Sequence, residues 1–204
     1  MSDPRPVSAP EAVKRALSMV GNGGQYELGT GDYRPRVVGG MLIDRPWTDS
    51  GAQSGSDCAG FAISWCYKLQ RHRPGYNTGA WATVSDDLNC NSVIEDAQHG
   101  CELFSLTIGM PQPGDLLTYP TIRIPGADGN ILTFIGHVGM VVSNNRATTW
   151  DAQRPRYDLL DVAQCRGPNG RAPGVLLTDG SIWSHHAEQW PKPAHTVQVL
   201  RAVP

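Results

Sequence analysis

Two segments before residue 70 carry hydrophobic residues at the spacing of an α-helix. The first lies between Ser8 and Gly21, and Glu11 follows Ser8 by three residues, as in a capping box. The second begins at Cys58, with Asp57 in position to be its N-cap. The apolar residues that recur every three or four positions are Val13, Ala16, Leu17 and Val20 in the first segment, and Phe61, Ala62, Trp65 and Leu69 in the second. We predict a helix in each segment, with these residues buried.

The pattern changes to that of β-strands after residue 110. The turn signal PQPGD precedes the apolar run 116–119, and the longest strand pattern, 134–143, ends at the turn pair Asn144-Asn145. We predict that 147–152 returns beside 134–143 as its antiparallel partner, and that 196–203 is an alternating, closing strand.

Glycine and proline are frequent, with 23 and 16 of the 204 residues, against a usual share of about 12% for the two together. They predict a loop over 21–36 with a short strand around Tyr26, a hairpin loop over 121–129, and irregular structure over 153–181. Helices followed by antiparallel strands make an α+β layout, and the length favours a single domain, 1–204.

Charge and composition exclude several classes of function. The formal net charge is −2 with no block of like charges, which argues against a nucleic-acid partner. The longest apolar stretch, 134–142, is far shorter than the ~20 residues that span a bilayer. Residues 1–14 contain no apolar core of a secretory signal peptide, so we expect no such signal. There is no C-x-x-C or H-x-x-x-H motif, so we expect no metal site.

The five cysteines are an odd number, so at least one thiol is not in an intramolecular disulfide. Cys90 and Cys101 bracket a short segment. A disulfide between them in an oxidising compartment and two half-buried thiols remain alternatives.

Cys58 is a candidate nucleophile because it opens a predicted helix. The positive end of the helix dipole and the unsatisfied N–H groups of the first turn favour a thiolate there. Gly60 removes a side chain close by, which lets a substrate approach, and the same backbone N–H groups can hold an oxyanion. The ordinary alternative for a cysteine is simple burial.

A nucleophilic cysteine needs a base and a group that orients the base. Among six histidines, His137 stands out because it heads a predicted strand between Gly136 and Gly139. Asp151 lies on the predicted neighbouring strand and would accept a hydrogen bond from His137 if the two strands pair. A buried core histidine and a solvated carboxylate are the alternatives for these two residues.

Together these segments resemble the NlpC/P60 family of papain-like cysteine peptidases. The segment 57–61, DCAGF, matches the nucleophile box of that family, 113–117, PGDLL, matches the start of a strand, and 136–140, GHVGM, matches the base strand. The segment 24–29, GQYELG, is similar to the family's G-x-x-Y-x-x-G. The four matches occur in the family's order and cover about 10–152 of the chain.

The resemblance implies an α+β, papain-like NlpC/P60 fold, with N-terminal helices packed on a central antiparallel sheet. It implies Cys58 as nucleophile and His137 as general base. The residues implied to contact the substrate or its oxyanion are Tyr26, Asp57, Ala59 and Gly60.

The third catalytic residue of the family is a His, Asn or Gln about 12 positions after the base. Asp151 is the nearest counterpart here, two positions later and a carboxylate, while Thr149 has the usual spacing. Residues 153–204 form a divergent extension that we expect to complete the sheet. The loop 121–133 is longer than the family's connection, and we expect it to form one wall of the substrate groove.

The implied activity is hydrolysis of an amide bond in peptidoglycan stem peptides, usually between D-glutamate and the diamino acid, without a metal or cofactor. We expect a monomer whose partners are peptidoglycan and an immunity or delivery protein. Lacking an export signal, it would reach the cell wall by phage or by a secretion machine. The alternatives are a papain-like amidase or acyltransferase on another substrate, and a binding module without catalysis.

Overall fold

The computed structural model describes most of the chain, in ten segments. These are 5–21, 25–26, 36–38, 41–43, 55–70, 88–100, 102–126, 129–166, 174–189 and 196–203.

The helices are short. The α-helices are α1 (Ala9–Met19), α2 (Cys90–Glu95) and α3 (Ser181–Gln189). A further helix over 58–67 has the π-helix Gly60–Trp65 at its centre, and α2 continues as the π-helix Asp96–Gly100. Tyr157–Leu159 is a 3₁₀ turn. Within the ten segments, none of these helices is long and apolar enough to cross a membrane.

Among the described residues, six strands form one antiparallel sheet, and six more form three pairs. In chain order the strands are β1 (Gln25–Tyr26), β2 (Arg36–Val38), β3 (Met41–Ile43), β4 (Gly55–Ser56), β5 (Phe104–Leu106), β6 (Leu116–Tyr119), β7 (Ile122–Pro125), β8 (Ile131–Phe134), β9 (His137–Ser143), β10 (Asp161–Cys165), β11 (Val175–Asp179) and β12 (Gln198–Ala202). The order in the large sheet is β11-β10-β9-β6-β12-β5. The predicted α+β layout is confirmed.

Helix α1 forms as predicted, and its buried face is shifted from the predicted one: Val13 and Val20 are only half-buried against the core. Ala12 and Ala16 are fully buried, whereas Leu17 is 46% exposed, and the side chain of Ser8 makes no capping hydrogen bond. Arg15 turns inward and donates from Nε to the carbonyl of Trp65 at 2.8 Å, with its guanidinium 3.8 Å from the centre of the Trp65 ring. This contact shifts the buried face and ties α1 to the 58–67 helix.

The strand predicted over 134–143 is two strands separated at Gly136. A Cβ atom at Gly136 would lie 2.6 Å from the backbone N of Thr121 and the carbonyl O of Tyr119. The chain therefore bends out of the β7–β8 hairpin at this glycine, and β9 begins anew at His137. The strand predictions for 116–119 and 196–203 are confirmed by β6 and β12.

The prediction that 147–152 pairs with β9 is wrong; the partners of β9 are β6 and β10. The Oδ1 atom of Asp151 accepts the backbone N–H of Gln153 at 2.8 Å, and the carbonyl of Asp151 accepts that of Arg154. This Asx turn redirects the backbone away from the sheet. The prediction of irregular structure over 153–181 also fails, because β10 and β11 lie there and join the large sheet.

The large sheet has an apolar cluster on each face, as the alternation of side chains requires. Val138 and Met140 belong to the cluster that contains α1 and the 58–67 helix. Val141 lies in the second cluster together with Trp183 of α3. His137, two positions from Gly139 and four from Val141, faces the side of the sheet that α3 covers.

Candidate active site

Asp57 holds the start of the 58–67 helix, as predicted. Its Oδ1 accepts the backbone N–H of Gly60 at 2.7 Å, and its carbonyl accepts that of Phe61 at 3.0 Å. These bonds fix Cys58, which is 4% exposed, in the first turn. They also engage the N–H of Gly60, a predicted oxyanion donor. The N–H groups of Cys58 and Ala59 precede the first intrahelical donor, Phe61, and remain the candidates for that role.

The strand that leads into Cys58 is anchored on two sides. Ser56 pairs with Tyr26 in the parallel β1–β4 ladder, and its carbonyl accepts the thiol of Cys165 at 3.2 Å. The backbone of Tyr26 therefore runs beside the segment that precedes Cys58. The side chain of Tyr26 lies outside the described residues.

His137 is 8% exposed and lies at the first position of β9. Its carbonyl accepts the hydroxyl of Thr118 on β6 at 3.1 Å, which fixes the backbone below the imidazole. Burial of the ring opposes protonation, but the negative charge of Cys58, the hydrogen bond between the two side chains and the hydrogen bond to Gln164 together raise the pKa of His137. These interactions place the predicted nucleophile and the predicted base within electrostatic reach of one another.

The pKa of the Cys58 thiol is lowered. A hydrogen bond from the Cys90 thiol is the largest cause; burial of Cys58 opposes it, and the charge of His137 lowers the pKa further. The hydrogen bond to Cys58, then burial and the charge of the Cys58 thiolate, raise the pKa of Cys90 well above its usual range, so Cys90 stays protonated as a donor. The site therefore favours a thiolate on Cys58 paired with an imidazolium on His137.

Gln164 of β10 completes a chain of hydrogen bonds behind the base. The Nε2–H of His137 donates to Oε1 of Gln164 at 2.7 Å, since an amide oxygen only accepts. The amide nitrogen of Gln164 donates to the hydroxyl of Thr178 at 2.6 Å, and Thr178 donates to the carbonyl of Asp179 at 2.9 Å. With Nε2 engaged, Nδ1 of His137 is the ring nitrogen that faces Cys58.

Neither Asp151 nor Thr149 contacts His137, which corrects both predictions for the third residue. Both are exposed, and Asp151 is engaged in its own turn. Sequence reasoning missed Gln164 because it lies in a segment interpreted as irregular. The usable signal was the run DVAQC, in which one polar amide interrupts apolar residues, just as His137 interrupts an apolar strand.

Helix α3, which had no assigned role, covers the base with an aromatic side chain. Trp183 is fully buried, and its ring stacks on that of His137 with centroids 5.5 Å apart and planes inclined by 29°. A Cβ atom on Gly139 would lie 2.7 Å from the indole, so glycine is required for this contact. Trp183 therefore covers one face of the His137 ring.

Tyr119 and His186 form a second aromatic contact beside the base. Their rings stack with centroids 3.7 Å apart and planes inclined by 9°, and Tyr119 lies 6.2 Å from the His137 ring. Burial, with the nearby Cys90 and Cys58, raises the pKa of Tyr119 to about 12. Tyr119 therefore stays neutral at the edge of the site.

The described cysteines, Cys58, Cys66, Cys90 and Cys165, all have free thiols. Cys101 lies outside the described residues, and the Cys90 thiol interacts with that of Cys58. In the part of the chain that the structure describes, no group of three or more His, Cys, Asp or Glu side chains converges as metal ligands would.

Comparisons with protein-family models, with curated proteins and with solved structures find no match to this chain.

Proposed function

We propose that this protein is a cysteine hydrolase that cleaves an amide bond. The observation that supports it most is the arrangement around one imidazole: His137 contacts Cys58 on one side and is oriented by Gln164 and Thr178 on the other. A thiolate, a base and a group that fixes the base are the three parts of nucleophilic catalysis by cysteine. The matched motifs support a papain-like arrangement of the NlpC/P60 kind.

The proposed reaction has two steps. The Cys58 thiolate attacks the carbonyl carbon, the oxyanion accepts hydrogen bonds from the N–H groups of Cys58 and Ala59, and the His137 imidazolium gives its proton to the leaving amine. A thioester on Cys58 remains. Neutral His137 then takes a proton from water, hydroxide attacks the thioester, and a carboxylic acid leaves as the Cys58 thiolate is restored. Gln164 keeps Nδ1 directed at the sulfur in both steps.

We propose peptidoglycan stem peptides as the substrate, with the bond between D-glutamate and the diamino acid as the target. Support for this comes from the four ordered motifs in 10–152, which match a family that acts on this polymer. The place of action would then be the cell wall.

Digestion of purified, defined muropeptides, read by mass spectrometry, tests this function. We expect fragments that correspond to cleavage within the stem peptide. The variant Cys58→Ala should be folded and inactive, because it lacks the nucleophile but keeps a small apolar side chain in a buried position. Turnover by Cys58→Ala, or intact muropeptides after incubation with folded, reduced protein, would refute the proposal.

One observation favours a second candidate, an amidase or acyltransferase whose substrate has an apolar part. The β7–β8 hairpin connects Tyr119 to His137 and carries four exposed large apolar residues: Ile131, Leu132, Phe134 and Ile135. Such a wall suits an acyl chain better than a charged peptide. Cleavage of a fatty-acyl thioester with no cleavage of muropeptides would favour this second candidate.

A further inference from the structure

A row of four rings runs across β6, β9 and α3. Trp183 stacks on His137 with ring centroids 5.5 Å apart, and His137 lies 6.2 Å from Tyr119. Tyr119 in turn stacks on His186 at 3.7 Å, with the two planes inclined by 9°. Trp183 and His186 both belong to α3, so the row begins and ends on the same helix. The helix therefore reaches the base twice, directly through Trp183 and indirectly from His186 through Tyr119.

The fold brings these rings together through one face of the sheet and one face of the helix. Tyr119 and His137 are directly opposite each other in the β6–β9 ladder, and such residues point to the same side of a sheet. Trp183 and His186 are three positions apart, which puts them on the same side of a helix. Two neighbouring helix positions thus meet two neighbouring sheet positions, and Gly139 leaves room for the indole.

Two hydrogen bonds fix the start of α3. The Oδ1 atom of Asp179 accepts the N–H of Ser181 at 3.1 Å, and the Oγ atom of Ser184 accepts the N–H of Asp158 at 3.1 Å. His186 lies beyond both, in the second turn of the helix. Its stack on Tyr119 therefore holds this second turn against the sheet.

The base gains from contacts of this kind because its hydrogen bond to Gln164 fixes only one ring atom, Nε2. The imidazole can still tilt about that atom. A tilt moves Nδ1 away from Cys58 and brings the ring edge against its neighbours, Trp183 and Tyr119. Tyr119 resists the tilt only if its own ring is held. A parallel stack at 3.7 Å, which is van der Waals contact, holds it.

We propose that His186 is a positioning residue for the base: its ring holds Tyr119, and Tyr119 limits the tilt of His137. The role belongs to the flat ring of His186 and not to a proton on it. This inference rests on the proposed function, since it takes His137 as the general base.

Steady-state kinetics on a defined muropeptide test the inference. His186→Ala should lower kcat about 2- to 10-fold with KM unchanged, which is the range expected for the loss of one aromatic pair. His186→Phe keeps a flat ring and should restore most of kcat. His185→Ala is the matched control, because it removes the neighbouring imidazole from an exposed position of the same helix, and it should leave kcat and KM unchanged.

Three results would overturn the inference. The first is full kcat in a folded His186→Ala variant, or a rise in KM alone, which would show a contact with the substrate. The second is a His186→Phe variant as slow as His186→Ala, which would show that the imidazole itself is required. The third comes from a double-mutant cycle: in a Tyr119→Leu background His186→Ala should have no further effect on kcat, and additive effects would exclude a path through Tyr119.

If no muropeptide is cleaved, the proposed function fails, and the reaction of Cys58 with iodoacetamide decides the inference by itself. The rate is measured against pH on the peptide that contains Cys58, by mass spectrometry. His186→Ala should move the midpoint of this profile upward by about 0.3–1 pH unit, because a tilted imidazolium stabilises the thiolate less. His185→Ala and His186→Phe should leave the midpoint in place. An unmoved midpoint in His186→Ala would overturn the inference.

Discussion

Replacing Gln164 by alanine removes the acceptor that orients His137. The hydrogen bond between His137 Nε2 and Gln164 Oε1 is 2.7 Å long and lies where both side chains are more than 90% buried. A hydrogen bond to a charged partner contributes about 1.5–3 kcal/mol, and a buried N–H without an acceptor carries a desolvation cost of similar size. Because His137 is charged in the reactive ion pair, we expect kcat to fall roughly 10- to 100-fold.

The assay is kcat on a defined muropeptide, with circular dichroism to confirm the fold of each variant. Thr178→Val, which removes only the next link in the chain, should lower kcat less, by roughly 2- to 10-fold for a neutral hydrogen bond. Gln164→Glu keeps an acceptor and adds a negative charge, which should raise the pKa of His137 further and move the alkaline limb of the rate profile upward.

Asp151→Ala is the matched control, because Asp151 was the orienting residue that the sequence predicted. It should leave kcat unchanged, since its carboxylate lies in an exposed turn. Full activity in a folded Gln164→Ala variant, or a large loss in Asp151→Ala, would refute the assignment of Gln164.

Three further predictions concern the pKa values and packing around the base. Because the pKa of Cys58 is lowered, activity should rise with pH at a pH below the ordinary pKa of a thiol. Because the pKa of His137 is raised, activity should fall again only at a pH above ~6.5, the usual pKa of histidine. A rate that rises with the pKa of an unperturbed thiol would contradict the ion pair. Cys90→Ala removes the thiol that hydrogen-bonds to Cys58, so iodoacetamide should alkylate Cys58 more slowly at pH 6, whereas Cys90→Ser should keep a donor and most of the rate. Trp183→Ala should lower the free energy of unfolding by about 3–5 kcal/mol in urea titrations. The control Ile108→Ala, at a side chain that is 88% exposed, should change it by less than about 0.5 kcal/mol. Equal effects of the two substitutions would argue against the packing of Trp183.

Local sequence patterns predicted the parts of the site that depend on neighbouring residues. Asp57 caps the helix that presents Cys58 because the cap and the helix adjoin in sequence, and a polar histidine in an apolar strand marks His137. No local pattern shows that distant segments are in contact. The pairing of Cys58 with His137 was therefore suggested only by the order of the motifs along the chain.

The missing parts depend on strand order and on competition between local structures. The Asx turn at Asp151 competes with strand pairing, and a five-residue strand in a Gly- and Pro-rich region gives little periodicity to read. Gln164 reaches His137 only because β10, and not 147–152, is the neighbour of β9. Likewise Trp183 contacts His137, 46 positions earlier in the chain, because α3 folds back over the sheet, and this contact needs a glycine at 139.

Trapping the acyl-enzyme tests the central claim most directly. The protein is mixed with a muropeptide, quenched in acid within the first turnover, and digested for peptide mass spectrometry. We predict a thioester adduct of the acyl-side fragment on the peptide that contains Cys58, weaker in Gln164→Ala and absent in Cys58→Ala. Product formation without an adduct on Cys58, or an adduct on another residue, would contradict the account.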